Sequence, residues 1–233
     1  MMSRTNLRAA LAAMALLVAP AHAQSETVTF PVAAPAPSAE QADDAVGEYR
    51  DVNSFEMFHG LLLRADGTFA YALSVGALDR RSAGTWVREG DVITLTTDPK
   101  PVAPEFVAAP DDGAAGAPYL IVTWPDGDGI AGVDVLLGCG DGTQISDYTQ
   151  YDGWSPGAGT CPDPQWVELE EGIHQIRSPR FPVAGRRGGL HFVLEPHDFG
   201  VADLTGTQGV LKEGKLVLTL GGQSAIFERV TPD

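Results

Sequence analysis

Between positions 61 and 97 the chain reads LLLRADGTFAYALSVGALDRRSAGTWVREGDVITLTT, and apolar and polar side chains alternate through much of it. Successive side chains of a strand point to opposite sides, so Phe69, Tyr71, Leu73 and Val75 fall on one face of the run 68–75. Asp66-Gly67 separates that run from 61–64, and Gly90-Asp91 separates 84–87 from 92–95. The runs are rich in β-branched and aromatic residues and too short for helices, and each junction carries a residue that tolerates positive φ. The pattern predicts an antiparallel β-meander. Asp98-Pro99-Lys100-Pro101 ends it, because proline has no N–H to give to a central strand.

The same punctuation recurs further on. A strand over 119–124 is followed by the turn Pro125-Asp126-Gly127-Asp128-Gly129, a strand over 130–137 and the turn Cys139-Gly140-Asp141-Gly142. Thr149-Gln150-Tyr151-Asp152-Gly153-Trp154 reads as a strand end with a tight turn, and Val167 and Leu169 alternate with acids until Gly172 breaks the run. Near the end, GTQGVLKEGKLVLTL at 206–220 can be laid over GTWVREGDVITLT at 84–96 with a two-residue insertion, which ties the last part of the chain to the first. A run over 190–194 and another over 225–230 complete the set.

The fold class expected is therefore all-β, an antiparallel meander or barrel. Its middle is either an inserted β-sandwich or a set of long hairpins on one sheet. The expected organisation is a signal peptide at 1–23, a flexible leader at 24–45, a first barrel half at 46–101, a linker at 102–118, a sandwich-like insert at 119–186 and a second barrel half at 187–233. The leader and the linker rest on their proline, alanine, glycine and acid content, which offers little apolar periodicity.

At the amino terminus, Arg4 and Arg8 precede an apolar run over 9–19 and the small residues of Ala21-His22-Ala23. This is the pattern of a secretory signal with cleavage near Ala23, and it predicts a periplasmic or secreted protein. The apolar run is short for a bilayer span and no second long one follows, so no membrane span is expected. With no cysteine near the cleavage position, a lipid anchor is not expected either. Removal of the first 23 residues leaves 13 basic and 31 acidic residues, a net charge of −18. Such a surface repels phosphate backbones, so a nucleic-acid partner is excluded. Cys139 and Cys161, the two cysteines, suit a disulfide in an oxidising compartment, worth roughly 3 kcal/mol by constraining the unfolded chain. A metal or redox pair is the competing reading, but there is no CxxC spacing and no histidine nearby.

The segments GEYR, LLLRADGTFAYAL and GTWVREGDVITLT together resemble the small lipocalin-like barrels of bacterial envelope proteins, in which a strand–DGTF–strand hairpin precedes a GxW strand. The resemblance covers 47–97, with 190–230 as the other half. Separately, GDGIAGVDVLL followed by TQYDGW is similar to the prealbumin-like, carboxypeptidase-regulatory-type β-sandwich over 125–185, with the turn GCGDGT interrupting the pattern. The two resemblances imply a barrel split by an inserted sandwich. They imply no catalytic residues, and fold by itself does not set function.

Candidate chemistry is sparse. Gly153-Trp154-Ser155-Pro156-Gly157 matches GxSxG, but Pro156 has no N–H for an oxyanion hole and no helical pattern follows. Asp126 and Asp128 lack the third ligand and distal glutamate of a calcium loop. His59, His174, His191 and His197 show no zinc-chelating spacing and read as surface or satisfied core residues, with His191 and His197 flanking one hairpin. Glu168, Glu170 and Glu171 read as a solvated strand edge rather than an acid–base pair. If the barrel has a cavity, Phe69, Tyr71, Trp86 and Phe192 are the ligand-lining candidates, and otherwise they are its core. No cofactor and no metal site are expected.

The function expected is that of an exported, non-enzymatic binding or interaction module with a protein partner. A lipocalin-like carrier of a small apolar ligand is the alternative, and a hydrolase using Asp152 or Glu168 is a third reading.

Overall fold

The computed structural model describes residues 44–52, 56–110, 119–186 and 189–231. The signal peptide and nearly all of the leader lie outside the described residues, as do 111–118 of the linker. Sixteen strands and no helix are found among the described residues, so the class is all-β.

The strands run β1 (Gly47–Asp51), β2 (Met57–Leu63), β3 (Thr68–Val75), β4 (Leu78–Glu89) and β5 (Val92–Thr97). Next come β6 (Glu105–Ala109), β7 (Leu120–Thr123), β8 (Val133–Cys139), β9 (Gln144–Tyr148) and β10 (Pro164–Glu171). The short β11 (Ile176–Arg177) and β12 (Phe181–Pro182) precede β13 (Leu190–Glu195). The chain closes with β14 (Thr207–Lys212), β15 (Lys215–Leu220) and β16 (Gln223–Arg229). Strands β1 to β5 and β14 to β16 form a closed eight-stranded antiparallel barrel. Gly90-Asp91 connects β4 to β5 and Glu213-Gly214 connects β14 to β15, and these two hairpins are neighbours through β5 and β14. Both glycines have positive φ, which a two-residue connection between twisted strands requires.

Everything from β6 to β13 is inserted between β5 and β14. It forms a five-stranded sheet of β11, β10, β8 and β9 with β12 also on β10, and a three-stranded sheet in the order β6, β13, β7. Residues from both sheets, among them Val135, Leu137, Val167, Phe106, Val122 and Phe192, share one buried cluster, so the insert is a β-sandwich. The Cys139–Cys161 disulfide links the end of β8 to the loop before β10. The departure and return of the insert are clamped together: the Val102 N–H donates to the Asp198 carboxylate at 2.8 Å, and the Asp198 N–H to the Val102 carbonyl at 3.1 Å.

Three expected boundaries move. Strand β13 pairs with β6 and, in parallel, with β7, so residues 190–195 belong to the sandwich and not to the second barrel half. A period-2 apolar pattern identifies a strand with one buried face but does not say which sheet receives it. Residues 105–109, expected in the linker, form β6 because β13 supplies a ladder for their backbone groups. The end of the leader is tied down as well. Ala45 is fully buried, its carbonyl accepts from the Tyr49 hydroxyl at 2.8 Å, and Asp44 pairs with Arg88.

Candidate functional site

The barrel interior changes character along its axis. On the rung where Leu63 faces Phe69 and Phe69 faces Gly84, the inward side chains are apolar. Trp86, Phe69, Leu63 and Leu95 are all buried within this core, and the Trp86 Nε1–H donates to the Arg64 carbonyl at 3.0 Å. That end is filled with side chains. One rung on, Tyr49 faces Leu61, Leu61 faces Tyr71, and Tyr71 faces Ser82. A further rung carries His59 opposite Leu73 and Leu73 opposite Arg80. Alternation carries the inward face from Trp86 back through Ser82 to Arg80, so Arg80 points toward the mouth rather than outward.

The mouth opens into a cleft of about 940 Å³. Its barrel wall includes Asp51, Met57, His59, Tyr71, Leu73 and Arg80. The facing wall comes from the insert and its return: Ala103 and Pro104, the turn at His174 and Gln175, and residues 200–204. The His174 ring packs against Phe199, with centroids 4.1 Å apart.

At the floor of the cleft a polar chain runs across three strands. The Asp51 carboxylate lies 3.3 Å from His59 Nδ1, and His59 Nε2 lies 3.1 Å from the Tyr71 hydroxyl. His59 is only 7% exposed, and its ring also meets Phe227 edge-on with centroids 4.6 Å apart. Burial lowers the His59 pKa below the usual 6.5, and the hydrogen bond and charge of Asp51 oppose that shift. In the neutral ring so favoured, Nδ1–H donates to Asp51 and Nε2 accepts from Tyr71. Burial also raises the Tyr71 phenol to about 12, with the nearby Arg80 charge acting the other way. Tyr71 therefore stays protonated at neutral pH and serves as a hydrogen-bonding group rather than a nucleophile.

The four expected ligand-lining residues separate. Tyr71 lines the cleft, Phe69 and Trp86 lie in the filled end, and Phe192 is in the sandwich core, where its ring meets Phe181 at 4.8 Å. The structure brings Tyr71 together with Asp51, His59, Leu73 and Arg80 instead. His59, expected only as a surface or satisfied core residue, alternates in line with the buried Leu61 and Leu63, and that alternation is the signal from which its inward position could have been found. The other candidates have structural partners. The Ser155 hydroxyl accepts the Tyr119 N–H at 2.8 Å, and the Asp126 carboxylate accepts the Asp128 N–H within its own turn at 3.1 Å. Glu168, Glu170 and Glu171 pair with Arg180, Arg177 and His174. His191 meets Thr123, and His197 lies 3.5 Å from Glu105.

Comparison of the chain with protein-family models finds no match, and comparisons with curated proteins and with solved structures find none either.

Proposed function

We propose that this chain is an exported binding protein that takes a small ligand in the cleft at the mouth of its barrel. The observation that carries this reading is the asymmetry of the interior: apolar side chains fill one end, while the other opens into a cleft with a few convergent polar groups at its floor. Small-molecule sites are typically concave, largely apolar and oriented by a small number of placed polar groups, and barrel mouths are one of their usual positions. The cleft falls within the roughly 300–1,000 Å³ range of such sites. On this reading the barrel serves in the manner of the lipocalin-like barrels it resembles, and the inserted sandwich completes the site by supplying its second wall. The reading places the protein in the periplasm or outside the cell, in keeping with the signal-like pattern of the first 23 residues and the disulfide.

The test uses the neutral, environment-sensitive dye N-phenyl-1-naphthylamine. The wild-type protein retains the dye with enhanced fluorescence, Ala225→Trp, which fills the mouth from β16, loses that retention, and Val87→Ser on the outer surface keeps it. Equal fluorescence from the wild type and Ala225→Trp would remove the cleft as the binding site, and no retention by any of the three would remove the reading.

A further inference from the structure

The charged groups around the cleft are not equivalent. Asp51 is engaged with His59 at 3.3 Å, and Asp203 accepts no fewer than one backbone hydrogen bond, from the Thr205 N–H at 3.0 Å. Arg177 pairs with Glu170 at 2.9 Å, and His174 with Glu171 at 3.2 Å. Arg80 differs from all of these: none of the ion pairs found among the described residues includes it. It is half-buried, it lies on the inward face of β4 two residues from the buried Ser82, and it borders the cleft. In a chain with 31 acidic and 15 basic residues, carboxylates are plentiful, yet this guanidinium faces a concavity.

Resting on the binding reading above, we propose that the cleft takes an amphiphile with a single anionic head group, paired with the Arg80 guanidinium, while its apolar part lies against Met57, Leu73 and Leu220. A guanidinium offers forked N–H donors that match a carboxylate or phosphate, and a partly desolvated wall strengthens that pairing relative to open water. Tyr71 lines the same cleft, but its one hydroxyl proton goes to His59 Nε2, which leaves the Arg80 guanidinium as the donor to the head group. The three apolar contacts come from different strands of the mouth, β2, β3 and β15, which leaves the tail a channel between them.

The experiment is isothermal titration of the full chain, produced in an oxidising compartment, at neutral pH. The probes are decanoate, decan-1-ol and decyltrimethylammonium, each below its aggregation concentration. Decanoate is expected to bind one-to-one and roughly 10- to 100-fold more tightly than decanol, the gain of one charge-assisted pair, with the cationic probe weakest. Arg80→Gln brings decanoate down to the decanol level and leaves decanol binding unchanged, which also shows that the variant is folded. Arg80→Lys keeps a preference for decanoate, and Arg177→Gln, which removes a charge that is already paired, keeps the wild-type order. If the wild type binds decanoate and decanol equally, or Arg80→Gln keeps the preference, the head-group assignment falls while the binding reading stands. If the wild type binds none of the three probes, both fall.

Discussion

The two ends of the barrel are built from the same strands and differ in what those strands send inward. At the filled end, Trp86, Phe69 and Leu63 leave no room, and their removal from water is the main stabilising contribution there. At the mouth, four to six residues further along the same strands, the inward positions are His59, Leu73 and Arg80, with Asp51 beside them on β1, and the space above them stays open. A polar group inside a barrel is tolerated only with partners, which is why Asp51, His59 and Tyr71 form a chain of hydrogen bonds. One end therefore holds the fold together and the other opens into the cleft.

The largest expected effect tests that division directly. Trp86→Ala removes a side chain that is 1% exposed, and should cost about 3–5 kcal/mol in urea unfolding. Leu73→Ala, at the half-buried mouth, should cost no more than about 1 kcal/mol. Equal costs would mean that the mouth is as tightly packed as the filled end, and the contrast would be lost.

Next in size is the disulfide of the insert. Replacing both Cys139 and Cys161 by alanine should lower stability by roughly 3 kcal/mol, since the bridge spans 22 residues. Dye retention in the cleft under native conditions should be unchanged, because the bridge lies in the sandwich and not at the mouth. A loss of retention would show that the far wall of the cleft depends on the bridge.

Tyr71→Phe should cost about 1–2 kcal/mol, because it leaves His59 Nε2 buried without its partner while keeping the ring. A stability equal to wild type in thermal unfolding would show that the hydroxyl contributes nothing to the fold and is held for ligand alone.

The smallest effect concerns pH. The folded-state pKa of His59 lies below its unfolded value of 6.5, so on acidification the unfolded chain takes up the proton first. The stability associated with neutral His59 is present in full above pH 6.5 and is lost as the pH falls toward the folded-state value. Thermal unfolding in a series of buffers from neutral to mildly acid should show the wild type losing stability faster than His59→Gln. Parallel curves would remove His59 as the source of that slope.

Much of the barrel could be read along the chain, since Asp66-Gly67 and Gly90-Asp91 mark its hairpins and alternation places Phe69, Tyr71 and Leu73 on one face. The position of those three residues along the barrel axis could not. Tyr71 and Phe69 are both aromatic and both inward, yet one lines the cleft and the other is sealed in, because closure packs Phe69 with Trp86 at the filled end while the side of Tyr71 opens into the cleft beneath the insert. His59 was readable as a buried, satisfied histidine, but its partners Asp51 and Tyr71 sit 8 positions before and 12 after it, and strand register alone brings them into contact. Arg80 follows a glycine turn in a charged run, Asp79-Arg80-Arg81, that reads as a solvated face.

What the sequence determined by itself is local: period-2 alternation, turn glycines and prolines specify strands and where they end, because these depend on the geometry of a few neighbouring residues. The tertiary structure decided which strands share a sheet. Leu190–Glu195 is as good a strand for the barrel as for the sandwich, and only the backbone ladders of β6 and β7 claim it for the latter. The cleft belongs to the same category. Its two walls lie far apart in sequence and meet only because β5 and β14 pair side by side and hold the insert over the open end.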